Sequence, residues 1–511
     1  MHLGELNEDG SVKSNEAAIV PSGEHTNTPC SDNPASNQRQ ASTGLISADS
    51  GGSTRITLVP ARIDFKSVKV QVIIGWFAAL ILSWVIYAPT LNVGFLLDDF
   101  LHIDYVYAAL SGHWSSFLAN FTGNWAGSDL MKSYRPLTSL SLFIDGWLGG
   151  LAPWVFHASN ILLGFVCAAF TGLITVELSG LRGNRLGGVA AIWAACLFAA
   201  YPLHAESIAW IIGRVDLLCT CFYLVSIWAY LRFRLLREHS YYKLSLAAFA
   251  CSLLCKEMSV TLPAVIMLAE LCLFGKEAKN VTAEVASNRL VQRVSYVLSF
   301  FFMLGFFAGL RLLLLGTLVG GYASGGGGIN LSALFDKATL LKIVLPIHEE
   351  MALQGWVAPL LIAAYIVVAL VFLARLASRS LRPGIFLFLL GWLLVAVLPA
   401  YQIWHIWPNL VGSRLFFNSS APFVILLSLL ALPALDTLPR KLVLPLSCLG
   451  AAALSAILVG WCALSRLSVL PWETAGRQVT ELRRQALQEL SALKPGQKIL
   501  FCNLPTDFSG A

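Results

Sequence analysis

Val70-Gln71-Val72-Ile73-Ile74-Gly75-Trp76-Phe77-Ala78-Ala79-Leu80-Ile81-Leu82-Ser83-Trp84-Val85-Ile86-Tyr87-Ala88-Pro89 is one apolar run, and Leu96-Leu97-Asp98-Asp99-Phe100 follows shortly after it. A run of about 20 apolar residues crosses a ~30 Å hydrocarbon layer as a helix. It does not alternate, as a barrel strand would. Ionised side chains are costly beside hydrocarbon and tend to be kept for function. The adjacent carboxylates therefore mark either a site or a solvated loop at the mouth of a span. Outward from this stretch the composition agrees. Hydrophobic residues make up 57% of the chain and charged residues 13%, against roughly 25% charged in globular domains. A soluble fold is excluded, and a bundle of apolar helices is expected.

Arg62, Lys66 and Lys69 stand directly before the run and place the N-terminus in the cytoplasm, because cations are retained there. Residues 1–65 are rich in Ser, Asn, Thr and Gly without apolar periodicity, which predicts a disordered cytoplasmic tail. No cleavable signal peptide is expected, since the first apolar run begins late and is of full span length. Further runs lie near 155–179, 186–203, 211–233, 244–258, 259–275, 294–316, 356–374, 384–404, 415–435 and 442–464. They predict an all-α polytopic membrane domain of about 11 transmembrane helices over residues 66–465. Alternating sides from a cytoplasmic start puts Arg182 and Arg185, Arg232 to Lys243, Lys276 to Arg293, Arg375 to Arg382, and Arg440 with Lys441 all inside. The helix opened by Arg135-Pro136-Leu137 and ending near Trp147 is too short to span. Counting it would invert every later loop, so it is expected to be interfacial or re-entrant.

The glycines at 320–328 suggest a linker or a lid. Residues 466–511 are expected to form a short extracytoplasmic tail. Val479, Leu482, Leu487, Leu490 and Leu493 recur there at helical spacing, followed by a strand-like Lys498-Ile499-Leu500-Phe501. The 11 cysteines are scattered through apolar runs and read as small buried residues rather than metal ligands or a disulfide framework. The net charge of +6 is spread over inner loops, so no nucleic-acid partner is expected.

The outer face keeps few ionisable groups, gathered at span ends. Asp98 and Asp99 are joined there by His102 and Arg135, by His204 and Glu206, by Arg214 and Asp216, by Lys256 and Glu257, and by Arg414. Such a set suits transfer of a sugar from a polyprenyl phosphate. An acceptor hydroxyl needs a carboxylate as general base. The leaving phosphate needs cations aimed at its growing charge in a water-poor site, and Arg binds two phosphate oxygens at once. Asp98 and Asp99 fill the first role, Arg135, His204, Arg214, Lys256 and Arg414 the second, with Glu206, Asp216, Glu257 and His102 in support. An acidic pair could instead hold a divalent cation. With so many cations available, a metal-free site without cofactor is expected.

Asp98-Asp99-Phe100, Tyr134-Arg135-Pro136-Leu137, Phe156-His157-Ala158-Ser159-Asn160, Pro202-Leu203-His204-Ala205-Glu206-Ser207-Ile208-Ala209-Trp210, Gly213-Arg214-Val215-Asp216 and Lys256-Glu257 resemble the GT-C glycosyltransferases. The nearest likeness is to the protein O-mannosyltransferases and the transmembrane mannosyltransferases that carry tetratricopeptide repeats. It runs in order from about residue 90 to 275 and on to Arg414. The resemblance implies a polyprenyl-phosphate-linked sugar donor, a site on the extracytoplasmic face (periplasm or endoplasmic-reticulum lumen), and a base in the first outer loop, by position Asp98. The sequence departs from the family at Gly164, where a histidine is frequent, at Leu415-Phe416-Phe417, and in lacking a 34-residue helical repeat after the last span. The acceptor is thus open between protein, glycan and lipid. A transporter or flippase of lipid-linked sugars or small anions is the alternative. Such proteins place ionisable groups and broken helices near the bilayer midplane, whereas here the charges lie at span ends.

Overall fold

The structure is a computed structural model that describes residues 65–127, 132–181, 187–275, 283–318, 337–347, 355–378, 381–401, 406–407, 409–432 and 440–492. Among them there is no strand. α1 (Phe65–Tyr87) is followed by the helices of the first loop, α2 (Asp99–Leu110), α3 (Ser115–Thr122) and α4 (Pro136–Gly149). Then come α5 (Pro153–Leu181), α6 (Gly187–Ala199), the five-residue α7 (Ala205–Ala209), α8 (Arg214–Leu236), α9 (His239–Leu253) and α10 (Leu262–Cys272). The remainder is α11 (Ala283–Leu315), α12 (Lys337–Val344), α13 (Val357–Ala377), α14 (Pro383–Tyr401), α15 (Ser420–Ala431) and α16 (Arg440–Ala492).

Among the described residues, seven stretches are helical, long and apolar enough to cross a membrane, or eight if the bent pair α6 and α7 counts as one. The expected count of about 11 is not confirmed. α9 has 15 residues and α10 has 11, and the apolar part of α14 stops at Pro399. The reason lies in the backbone. Between α9 and α10, Lys256 takes an extended conformation (φ −160°, ψ 149°) and Glu257–Thr261 forms a tight turn, which leaves the helices of the runs 244–258 and 259–275 too short to span. α4, at 14 residues, is short of a span, as its sequence suggests. α16 runs unbroken through 53 residues with Pro445 and Pro471 inside it, so Ser465 sits within a helix and its hydroxyl donates to the Ala200 carbonyl (2.8 Å). The N-terminal tail, the glycine-rich stretch at 320–328 and the strand expected at 498–501 lie outside the described residues.

Burial sorts the bundle into layers. The spans 211–236 and 413–431 are each 83% buried, whereas 290–315 is 17% buried and 68–92, 357–377 and 441–491 are each 28%. α8 and α15 are therefore central, and the others turn apolar faces outward: Phe302, Phe306 and Leu313 on α11, and Ile73, Phe77 and Val85 on α1, are well exposed. In a soluble protein such a surface would be an aggregation hazard; here it is the face that meets lipid. α8 packs on α9 and α5, and α15 on α6 and α14. Backbones approach closely where side chains are small, the usual route to tight packing in a bilayer. At Gly450 a Cβ would stand 2.0 Å from the Ala431 carbonyl oxygen, which brings α16 onto the end of α15. Both central helices begin at one end of the bundle, where the ionisable residues singled out above converge.

A candidate active site at the ends of the central helices

The first loop is anchored by Asp99. At the N-terminus of α2 it accepts the Leu96 amide on Oδ2 (2.8 Å) and the Ile212 amide on Oδ1 (3.0 Å). The second bond ties the loop to the turn just before α8. Asp99 is 1% exposed. Burial raises its carboxyl from 3.8 to about 7, against the pull of the two amides and Arg214, with Asp98 adding to the rise. Asp98 lies beside it and faces solvent. Leu97, just before the pair, is held at φ +49°, a left-handed conformation that costs a non-glycine residue of order 1 kcal/mol. Such strain persists only where surrounding contacts fix the backbone, and it turns two adjacent carboxyls to different environments.

Arg135, at the start of α4, lays its guanidinium over Trp125 (4.8 Å) and binds Glu257 Oε2 (2.9 Å). His102 stacks on Trp125 (4.0 Å). Burial, with Arg135 adding, drives its imidazole down to about 3, so it is neutral at physiological pH. Glu257 also holds Arg311 of α11 (2.7 Å), whose other terminal nitrogen donates to the Lys132 carbonyl (2.9 Å). Partial burial would raise Glu257, but the two guanidiniums outweigh it and hold the carboxyl at about 2. Next to it Lys256 binds Asp216 in the first turn of α8. Burial lowers the Lys256 ammonium more than Asp216 restores it, and Arg135 and Arg414 lower it further. Arg135 and Arg414, from two distant segments, thus each act on Lys256. Arg414 meets Glu206 (3.3 Å) and lies over Trp210 (4.5 Å). Glu206 Oε2 also accepts the amides of Gly412 and Arg414 (2.9 and 3.2 Å), holding the 412–414 turn against α7.

Two residues expected to face phosphate are placed otherwise. Arg214 is 1% exposed and is bound to Asp145 (2.6 Å), Ser159 (2.8 Å) and the Phe156 carbonyl (2.9 Å). His204 is fully buried between Phe198 and Phe417 and meets the Ser420 hydroxyl (2.8 Å). Asp145 and Arg311 escape the sequence reading, although each is an ionisable residue alone in an apolar segment, and such a residue calls for a partner. At Gly164 a Cβ would come 3.1 Å from Ile208 Cδ1, so the space of a larger side chain is filled from α7. Among the described residues, no three His, Cys, Asp or Glu side chains gather as metal ligands.

Fold and site define an all-helical, multi-pass membrane protein with an ion-pair cluster at one end of its two central helices. Over part of its length the chain is similar to curated proteins named protein O-mannosyl-transferase. It is 33% identical over 245 residues to TMTC2 of Xenopus laevis, covering 46% of this chain and 28% of that protein. It is 31% identical over 210 residues to TMTC2 of Homo sapiens (38% and 24%) and 35% identical over 199 residues to Tmtc1 of Drosophila melanogaster (37% and 22%). The match spans less than a third of each of these relatives. These are the mannosyltransferases that the motifs resemble. No family model and no solved structure matches the chain.

Proposed function

We propose that the chain is a glycosyltransferase that moves a mannose-type sugar from a polyprenyl phosphate to a hydroxyl of an acceptor protein on the extracytoplasmic face. The observation that carries this is the grouping of Arg135 (on Glu257), Lys256 (on Asp216) and Arg414 (on Trp210), with Arg135 and Arg414 both acting on Lys256, at the end of the bundle where the Asp98-Asp99 loop is fastened to residue 212. The names of the relatives supply the sugar and the protein acceptor. Asp98, solvent-facing, takes the proton from the acceptor hydroxyl as its oxygen attacks the anomeric carbon. The bond from that carbon to the phosphate oxygen breaks, and the polyprenyl phosphate leaves with the negative charge. Arg135, Lys256 and Arg414 stabilise that charge as it grows. Asp99 positions the loop through its two amide bonds. Arg214, fixed by Asp145, and His204, enclosed by aromatic rings, hold the framework behind these groups. Glu206 orients Arg414, Asp216 orients Lys256, Glu257 orients Arg135, and neutral His102 backs Trp125. The roles need no metal ion.

Purified protein in detergent, given a polyprenyl-phosphate mannose and a Ser/Thr-containing peptide, is expected to transfer mannose. Asp98→Asn is expected to abolish transfer, by more than about a hundredfold, with thermal unfolding unchanged because Asp98 is exposed. Full activity in that variant, or no consumption of the donor by the wild type, refutes the reading. In a background without Cys30, Cys448 and Cys502, His113→Cys should react with an impermeant thiol reagent from the outer side, and Arg237→Cys should not. The opposite labelling refutes the orientation.

A further inference from the structure

Trp210 stands at the break between α7 and α8 and serves no role in the mechanism above. Its backbone is fixed: the carbonyl accepts Asn160 Nδ2 (3.0 Å) and the Gly213 amide (3.0 Å). Its ring is held between two partners. The Arg414 guanidinium lies 4.5 Å from the ring centroid, and Trp472, from the outer part of α16, stacks on it at 6.1 Å with the planes 22° apart. Trp210 and Trp472 are each 5% exposed. Yet the Trp210 indole N–H, fully enclosed, has no acceptor among the described residues. A buried indole N–H normally finds one, and leaving it unmet is destabilising. The other enclosed indoles, Trp76, Trp228, Trp392 and Trp461, lie inside α1, α8, α14 and α16, and the last three stand beside Glu177, Tyr223 and Tyr365. Among these, only Trp210 carries a cation of the ion-pair cluster on its face.

We propose that Trp210 is a donor-contacting residue: it seats the Arg414 guanidinium on its ring while its N–H donates to an oxygen of the donor's phosphate. Trp472 is then a positioning residue acting through Trp210, and the outer segment of α16 belongs to the site rather than to a dispensable tail. The phosphate supplies the acceptor that the indole lacks, and ring and guanidinium meet the same anion from two sides. This inference rests on the phosphate-donor reading above.

The test is direct binding of a short-chain polyprenyl phosphate, and of its mannose ester, to the full chain in detergent, which needs no turnover. Trp210→Phe, which keeps an aromatic seat but has no N–H, should weaken binding of both ligands about tenfold, as loss of one hydrogen bond to a charged group would. Because Phe is smaller, 3-benzothienylalanine at position 210, with sulfur in place of N–H, provides the same test at nearly constant shape. Trp472→Ala should weaken both ligands as well, raising KM for the donor more than it lowers kcat, and Trp472→Phe should restore most of the affinity. Wild-type affinity in the benzothienyl variant overturns the proposal. So does weakening confined to the mannose ester, which would assign the N–H to the sugar. Failure of the wild type to bind polyprenyl phosphate at all overturns the donor reading itself, and this inference with it.

Discussion

At the scale of single residues, the two neighbouring aspartates differ because one is enclosed and one is not. Asp99 has its folded carboxyl raised to about 7 from 3.8 by burial, so between these values the folded state binds more protons than the unfolded one. Stability from this group is therefore present at acid pH and is lost as pH rises from about 4 through about 7. Asp99→Asn should lower the melting temperature, because one amide is left facing an NH2 group. It should also flatten the fall of stability over that pH range, as read by thermal unfolding in detergent. An unchanged slope would show that Asp99 is not the titrating group. The adjacent pair is evident in the sequence. Which member is buried is not, because that depends on Leu97 turning to φ +49° and on an amide 113 positions away.

At the scale of elements, α8 organises both ends of the bundle. Its N-terminal end is set by the segment Ala205–Gly213, which folds back so tightly that a Cβ at Gly213 would stand 2.5 Å from the Ser207 carbonyl oxygen. The constraint is space rather than dihedral freedom, and the obstacle is backbone, which cannot swing aside. Gly213→Ala should cost about 2 kcal/mol or more and displace Trp210, Arg214 and Asp216 together. Donor binding should then fall further than in any of the single-residue variants at those positions that keep the fold. An alanine variant with wild-type stability and affinity would mean that the turn is not confined as described. The long motif from Pro202 to Leu218 is legible in sequence as a motif. Its placement, with residues 202–209 bent 49° away from α6, goes with packing against α5 and the 413–419 turn.

At the scale of the whole molecule, the two ends of α8 carry separate ion clusters roughly 30 Å apart along its 23 residues. At the far end, Glu270 holds Arg234, Arg293 (2.8 Å) and the Tyr230 hydroxyl (2.7 Å), remote from the candidate site. Glu270→Gln should destabilise the protein by about 3 kcal/mol or more, since it leaves a buried guanidinium without its counter-charge, while polyprenyl-phosphate affinity per folded molecule stays unchanged. Lys256→Met should lower that affinity more than tenfold and cost less stability, because an enclosed ammonium gives way to an apolar side chain. Measuring thermal unfolding and binding on both variants separates the two clusters. Equal loss of affinity in the two would dissolve the distinction.

What the sequence by itself determined follows from chemistry that needs no partner in space. Long apolar runs must be helices in hydrocarbon, because no water is present there to satisfy the backbone. Carboxylates and cations at the ends of those runs mark the candidate residues, and the ordered motifs point to the mannosyltransferases that the chain is similar to. Only the tertiary structure decided which candidates are spent on the protein's own framework. Arg214 and Arg414 look alike as residues, yet one is locked to Asp145 and the other lies on Trp210 beside Lys256. The same holds for span number: the runs 244–258 and 259–275 read as two spans, and the packed bundle gives them helices of only 15 and 11 residues. Pairing and breaking are fixed by which distant groups can neutralise one another out of water, and that is a property of the packed bundle, not of any stretch of chain.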